Sequence, residues 1–183
     1  MEIKSARHTF IRAFALSAML ALLCACGSSA DKESLAETRV VVLRHAEKML
    51  DSSDPGLTDA GVQRAVALAE RLRDADLAAV VVSEAKRAQL SGQPAADVHG
   101  LALEVRPAAG VDASAYAREL KTWIEKNHRG RTVLVVGHSN TVPSIVATLA
   151  GAAVDPMGDS EYDRYSVVHL PSSGAAWVEV SRY

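Results

Sequence analysis

Apolar and polar positions along the chain alternate between short β-branched runs and longer segments of helical period. Val40–Leu43, Ala78–Val82 and Thr132–Val136 are near-continuous apolar runs, the pattern of strands buried on both faces. Leu101–Val105 is a shorter candidate closed by Pro107. Between these runs, Val62, Ala65, Val66, Ala69 and Leu72 recur at helical spacing after the start signal Leu57-Thr58-Asp59. Arg64 and Arg71 fall outside that stripe and read as a solvated face. A second helix is expected from Glu84, with Arg87 on its first turn and Gly92-Gln93-Pro94 shortening or kinking it. A third begins at Asp112, a good cap, and turns Tyr116, Leu120, Trp123 and Ile124 inward. A fourth follows Ser139-Asn140-Thr141-Val142-Pro143, with Ile145, Val146 and Leu149 inward until Gly151. Tyr165–Leu170 and Ala175–Val180, joined by Pro171-Ser172-Ser173-Gly174, read as a terminal hairpin. The strand-helix alternation predicts one three-layer α/β/α domain, a mostly parallel sheet with an antiparallel edge.

The first run ends abruptly in Arg44-His45-Ala46-Glu47-Lys48, and the fourth ends in Gly137-His138-Ser139-Asn140. Open α/β sheets place their ligand crevice beyond the carboxyl ends of the strands, so both histidines are expected there. An imidazole nucleophile beside an arginine fork suits a phosphoryl group. The two histidines lack the close spacing and cysteine companions of a zinc site, and the flanking arginines would repel a cation. No metal and no cofactor are therefore expected. His99, His128 and His169 receive no catalytic role.

Leu43-Arg44-His45-Ala46-Glu47-Lys48 resembles the nucleophile motif of the histidine phosphatase superfamily, which has the phosphoglycerate-mutase-like fold. Val136-Gly137-His138-Ser139-Asn140 is similar to its second histidine motif, and Ser83-Glu84-Ala85-Lys86-Arg87-Ala88 to its Ser-x-x-x-Arg-Ala segment. The resemblance implies a phosphoglycerate-mutase-like domain and a histidine acid phosphatase-type phosphoric monoester hydrolase acting on a small phosphorylated substrate. It implies that His45 forms a phosphohistidine while Arg44, Arg87 and His138 bind the phosphoryl group as positive donors. Many members carry a Glu after the third strand as proton donor. Here Arg106-Pro107-Ala108-Ala109-Gly110-Val111-Asp112 offers only Asp112 as a general-acid candidate, a departure that resembles phosphohistidine phosphatases. A mutase-like phosphotransferase and a non-catalytic phosphate-binding envelope lipoprotein are the alternatives. Lys48 and Lys86 are the nearby cations that a second anionic group of a mutase substrate would need.

Lys4, Arg7 and Arg12 precede an apolar stretch from Ala13 to Leu23, the charge and length of a secretory signal. Leu23-Cys24-Ala25-Cys26 resembles a bacterial lipobox, which implies cleavage before Cys26 and lipidation of that residue. An ordinary secretory signal or an uncleaved anchor also fits, and likewise places the domain outside the cytoplasm. Residues 1–25 are read as the lipoprotein signal peptide, 26–38 as a flexible tether and 39–183 as the catalytic domain. Gly27-Ser28 lacks the Asp of inner-membrane retention, so the expected site is the outer membrane, facing the periplasm. Cys24 and Cys26 are the only cysteines, which leaves the domain without a disulfide. Loss of residues 1–25 removes Lys4, Arg7, Arg12 and Glu2 and moves the formal charge from −2 to −4. That charge and the lack of a basic run exclude nucleic acid as the natural partner. Oligomeric state is left open.

Overall fold

Residues 36–183 are described by a computed structural model. The expectations that rest on residues 1–35, the signal peptide and Cys26 among them, lie outside the described residues. Strand β1 (Thr38–Arg44) takes in Thr38, assigned to the tether on sequence, because its hydroxyl accepts from Gly130 N. Strands β2 (Leu77–Val82), β3 (Leu103–Val105), β4 (Thr132–Gly137), β5 (Arg164–Leu170) and β6 (Trp177–Arg182) complete a sheet of order β3-β2-β4-β1-β5-β6. The first four in that order are parallel, and β5 and β6 run antiparallel to their neighbours. Helices α1 (Asp59–Leu72), α2 (Lys86–His99), α3 (Ala113–Asn127) and α4 (Val142–Ala150) connect them. The expected three layers and mixed sheet are present.

The strand period of two divides β1 between two cores. Val40 and Val42 face Tyr116, Leu120, Ile124 and Ile145 of α3 and α4. Val41 and Leu43 face Leu68, Leu72, Ala88 and Ala95 of α1 and α2. Both faces being covered explains why the strand is apolar at every position. At roughly 1.5–3 kcal/mol for each large aliphatic side chain removed from water, these two layers hold the carboxyl ends of β1 and β4 in register.

Helix α2 differs from the expectation, since it runs through Gly92 and Pro94 to His99. A β-carbon at Gly92 would lie 2.9 Å from Val82 Cγ1 and 3.1 Å from Val80 Cγ1, so the glycine there permits the helix to lie directly on β2. The helix has no capping side chain of its own at Ala85. Asp54, from the loop after β1, supplies the acceptor by taking Lys86 N at 3.0 Å. Helix α1 starts as expected, with Thr58 Oγ1 accepting from Gly61 N. A β-carbon at Gly61 would meet the Glu47 carbonyl oxygen at 2.3 Å, so only glycine lets this first turn press against the loop carrying His45.

Arg64 is not a solvated residue, as its pattern suggests. It grips Glu47 through Nε and one terminal nitrogen at 2.7–3.0 Å, and its other terminal nitrogen donates to the Tyr183 carbonyl at 2.7 Å. A forked pair of this geometry is stronger than a single surface contact. It fastens the loop after His45 to α1 and to the chain beyond β6. Arg71 stays exposed, as its pattern suggests, while it lies over the Tyr165 ring at 4.3 Å and donates to Ser181. His169 stacks on Trp177 at 3.6 Å and pairs with Glu37 at 2.9 Å, while His99 bonds the Leu72 carbonyl, so neither takes part in the site below.

Candidate active site

Parallel pairing aligns Arg44 with Gly137, so the residues just past them, His45 and His138, emerge together. His45 N donates to the Gly137 carbonyl at 2.9 Å, which extends the ladder by one bond and fixes the His45 backbone. The two imidazole rings are 5.2 Å apart and edge-on. Arg87, on the first turn of α2, reaches both, with Nε 3.2 Å from His45 Nε2 and NH2 3.5 Å from His138 Nδ1. The cavity they share, about 400 Å³, is also lined by Arg44, Lys48, Glu84, Ala108–Val111 and Ser139–Thr141.

Tautomers follow from the partners. His45 Nδ1 lies 2.7 Å from the Ala46 carbonyl, which can only accept, so Nδ1 carries the proton and Nε2 keeps its lone pair. That lone pair accepts from Arg87 Nε–H. Ala46 is itself held by Ser91, whose hydroxyl accepts from Ala46 N at 2.9 Å and donates to the Arg87 carbonyl at 2.7 Å. One turn of α2 therefore orients both Arg87 and the segment that carries His45. At His138, the Arg87 NH2 can only donate, which makes Nδ1 the acceptor and directs the Nε2 proton to Ser83 Oγ at 2.8 Å.

Burial drives His45 down from its ordinary value of 6.5 to about 3, against the Ala46 hydrogen bond and with help from His138, Arg87 and Arg44. Burial, then Arg87, lowers His138 to about 4 against the opposing pull of Glu84. His138 is therefore neutral near pH 7, whereas the resemblance implies a positive donor. Because kcat/KM reports free-enzyme ionisations, its enzyme-borne acid limb is expected below pH 5 once the substrate's own ionisation is divided out. A limb centred near pH 6.5 would refute this. Both imidazoles bind fewer protons folded than unfolded, so stability is expected to fall as pH drops from about 6.5 towards 3.

Arg44 is divided between structure and site. It is 6 % exposed, and its NH1 is held by the carbonyls of Gly158, Asp159 and Glu161 at 2.8–3.3 Å, which organises the loop before β5. Its Nε is buried and has no hydrogen-bond partner, and the residue also lines the cavity. Tyr162 lies against it, with the guanidinium 4.2 Å from the ring centroid and His45 6.0 Å away on the same ring. Sequence spacing gives no sign of Tyr162, because it arrives from the far end of the chain.

All four expected phosphoryl-site residues meet, whereas Asp112 does not join them. Its carboxylate accepts from Ala115 N at 2.8 Å and caps α3, and it is not among the residues lining the cavity. The carboxylate that does line it is Glu84, inside the Ser83–Ala88 motif yet given no role by it. No group of three or more His, Cys, Asp or Glu side chains placed to hold a metal occurs among the described residues.

Residues 40–111 match the sequence model of the histidine phosphatase superfamily, branch 1. The whole described domain has the histidine phosphatase fold, with its single α/β layer order and mixed six-stranded sheet. An uncharacterized Mycobacterium tuberculosis protein, Rv0525, is 40 % identical over 78 residues, which cover 39 % of this chain and 39 % of that relative's length. Among solved structures, the protein histidine phosphatase SixA complexed with tungstate superposes with a TM-score of 0.63 at 22 % identity, covering 79 % of this chain and 96 % of SixA. A mycobacterial hydrolase, hydrolase 1, gives 0.65 at 18 % identity over 80 % and 99 %.

Proposed function

We propose that the chain is a metal-independent phosphohydrolase that transfers a phosphoryl group to His45 Nε2 and then to water. The observation that carries this reading is the tautomer lock: the Ala46 carbonyl holds the proton on Nδ1, and the unprotonated Nε2 stands in the cavity, accepting from Arg87 Nε. A pure phosphate binder gains nothing from a neutral imidazole presenting a lone pair to an anion. The likeness to a histidine phosphatase bound to tungstate, a tetrahedral oxyanion, supports the same use of the cavity.

In this scheme the incoming phosphoryl oxygens draw the Arg87 guanidinium off His45 and expose Nε2. The Nε2 lone pair attacks phosphorus in line, the bond to the leaving group breaks, and negative charge spreads over the equatorial oxygens. The Arg87 and Arg44 guanidiniums, which line the cavity, face that charge. An anion beside His138 reverses the charge around it and favours its protonated, donating form. Water then attacks the phosphohistidine, the P–N bond breaks and inorganic phosphate leaves.

Among the described residues, no carboxylic acid poised to protonate an alkoxide lines the cavity, since Glu84 is hydrogen-bonded as an acceptor and Asp112 is committed to a cap. Substrates with good leaving groups are therefore favoured, phosphoramidates and aryl phosphates over simple alkyl esters. The test is phosphate release from an aryl phosphomonoester by the full chain, with and without chelator, combined with acid-labile, base-stable capture of the phosphoenzyme. Chelator-resistant release with a trapped phosphohistidine is the expected result. Release abolished by chelator, or no phosphoenzyme, would refute the scheme.

We further propose that Cys26 is lipidated and that the domain faces the periplasm from the outer membrane. The lipobox-like Leu23-Cys24-Ala25-Cys26 supports this reading. Metabolic labelling with a radioactive fatty acid is expected to mark the wild type and not Cys26→Ser. Equal labelling of both would overturn it.

A further inference from the structure

We infer that Glu84 is a specificity-determining residue that selects phosphoryl compounds bearing a cationic nitrogen a short chain away from phosphorus, and that rejects those with a second anion. The inference deepens the phosphohydrolase reading and rests on it for the location of the phosphoryl group.

Glu84 contributes the only carboxylate lining the cavity among the described residues. Its neighbour in sequence, Ser83, holds His138, so the carboxylate sits one residue from a side chain that faces the phosphoryl group. Its two oxygens are clamped separately, Oε2 by Ala108 N at 2.8 Å and Oε1 by Ala109 N at 2.9 Å. Each carboxylate oxygen has room for a second donor, so the clamp leaves acceptor capacity towards the cavity. Burial raises the pKa of Glu84, but the backbone hydrogen bonds outweigh it and keep the carboxyl below its ordinary value. A group so held is a fixed negative charge and not a proton donor. The phosphoryl group is bound by arginines, and what remains of the substrate meets this charge.

Lys48 lines the same cavity and would pull the other way. Its ammonium swings on a four-carbon stem, whereas the Glu84 charge is immobilised by two N–H groups and acts without an ordering cost. A substrate built like a phosphoglycerate brings a carboxylate towards this wall, and one built like an amino-alcohol phosphate brings an ammonium.

The test is equilibrium binding by calorimetry of inorganic phosphate, O-phosphoethanolamine, propyl phosphate and phosphoglycolate to the wild type and to Glu84→Gln. Wild type is expected to bind the ammonium compound at least about fivefold more tightly than the carboxylate one, the scale of one charge pair in a partly solvated site. In Glu84→Gln that ratio is expected to fall to within about twofold, with propyl phosphate little changed. A wild type that binds the two charged compounds equally overturns the inference. So does a variant that weakens all three organic phosphates by one common factor, which is what a merely structural clamp of the 106–112 loop would produce. Failure of inorganic phosphate to bind at all would instead remove the phosphohydrolase reading beneath it.

Discussion

His45→Ala is expected to lower phosphate release by roughly four to six orders of magnitude, the scale at which removal of a covalent nucleophile acts. The size follows from what the rest of the cavity is able to do alone. In the proposed scheme Arg44, Arg87 and His138 would stabilise a phosphoryl group whatever attacks it, but without Nε2 the attacker is an unactivated water with no base to take its proton. The neighbouring carboxylates do not substitute, because Glu84 is clamped by two backbone N–H groups and Asp112 caps α3. Binding of inorganic phosphate should survive the substitution within a few-fold, since His45 in this scheme attacks phosphorus and does not hold its oxygens. Rapid-quench kinetics of the wild type should show a burst of leaving group followed by slower phosphate release wherever dephosphorylation limits turnover, and the burst should vanish in the variant. Turnover retained within tenfold would transfer the nucleophile's role elsewhere, and Ser83 is too firmly bonded to His138 to take it.

How the protein brings a nucleophile and an arginine to one point explains which parts were legible in sequence. Val40–Leu43 and Thr132–Val136 are apolar at every position because each strand faces two helical layers, so their ends, and hence His45 and His138, could be placed from the pattern. Arg87 came from the motif resemblance, and its position on the first turn of α2 agrees with it. What the pattern hid was contact between segments far apart in the chain. Arg64 carries charge at a helical position facing outward, yet Glu47 and the Tyr183 carbonyl meet it there. Gly92 reads as a helix breaker, but the helix needs it to touch β2. Tyr162 reaches Arg44 across more than a hundred residues, a separation over which periodicity carries no information. Glu84 was visible inside its motif and invisible as a wall of the cavity, because its partners Ala108 and Ala109 are backbone groups without a side-chain signature.

Arg87→Ala carries the second largest expected effect, a fall in kcat of about 10²–10³, the scale of deleting one preorganised donor to developing charge. Three contacts are lost at once. The Nε–H that faces His45 Nε2 and the NH2 that faces His138 Nδ1 both disappear, and Asp54 loses its cationic neighbour 3.7 Å away. The first two are ground-state contacts that the phosphoryl oxygens would take over, so the arginine moves from protein to substrate without leaving a buried charge unpaired at any stage. Removing it also removes one of the charges that keeps both imidazoles neutral. The acid limb of kcat/KM should therefore shift upward in pH, a change that a disturbance of folding alone would not produce. Arg87→Lys should restore the charge and with it the position of that limb. It should recover only part of the rate, because an ammonium lacks the planar fork that reaches two imidazoles and then two phosphoryl oxygens. The Ser91 bond to the residue-87 carbonyl is independent of the side chain and should keep α2 and Ala46 in place in both variants. Rates within a few-fold of wild type in Arg87→Ala, with an unmoved acid limb, would take Arg87 out of the transition state and leave Arg44 as the sole guanidinium facing the phosphoryl group.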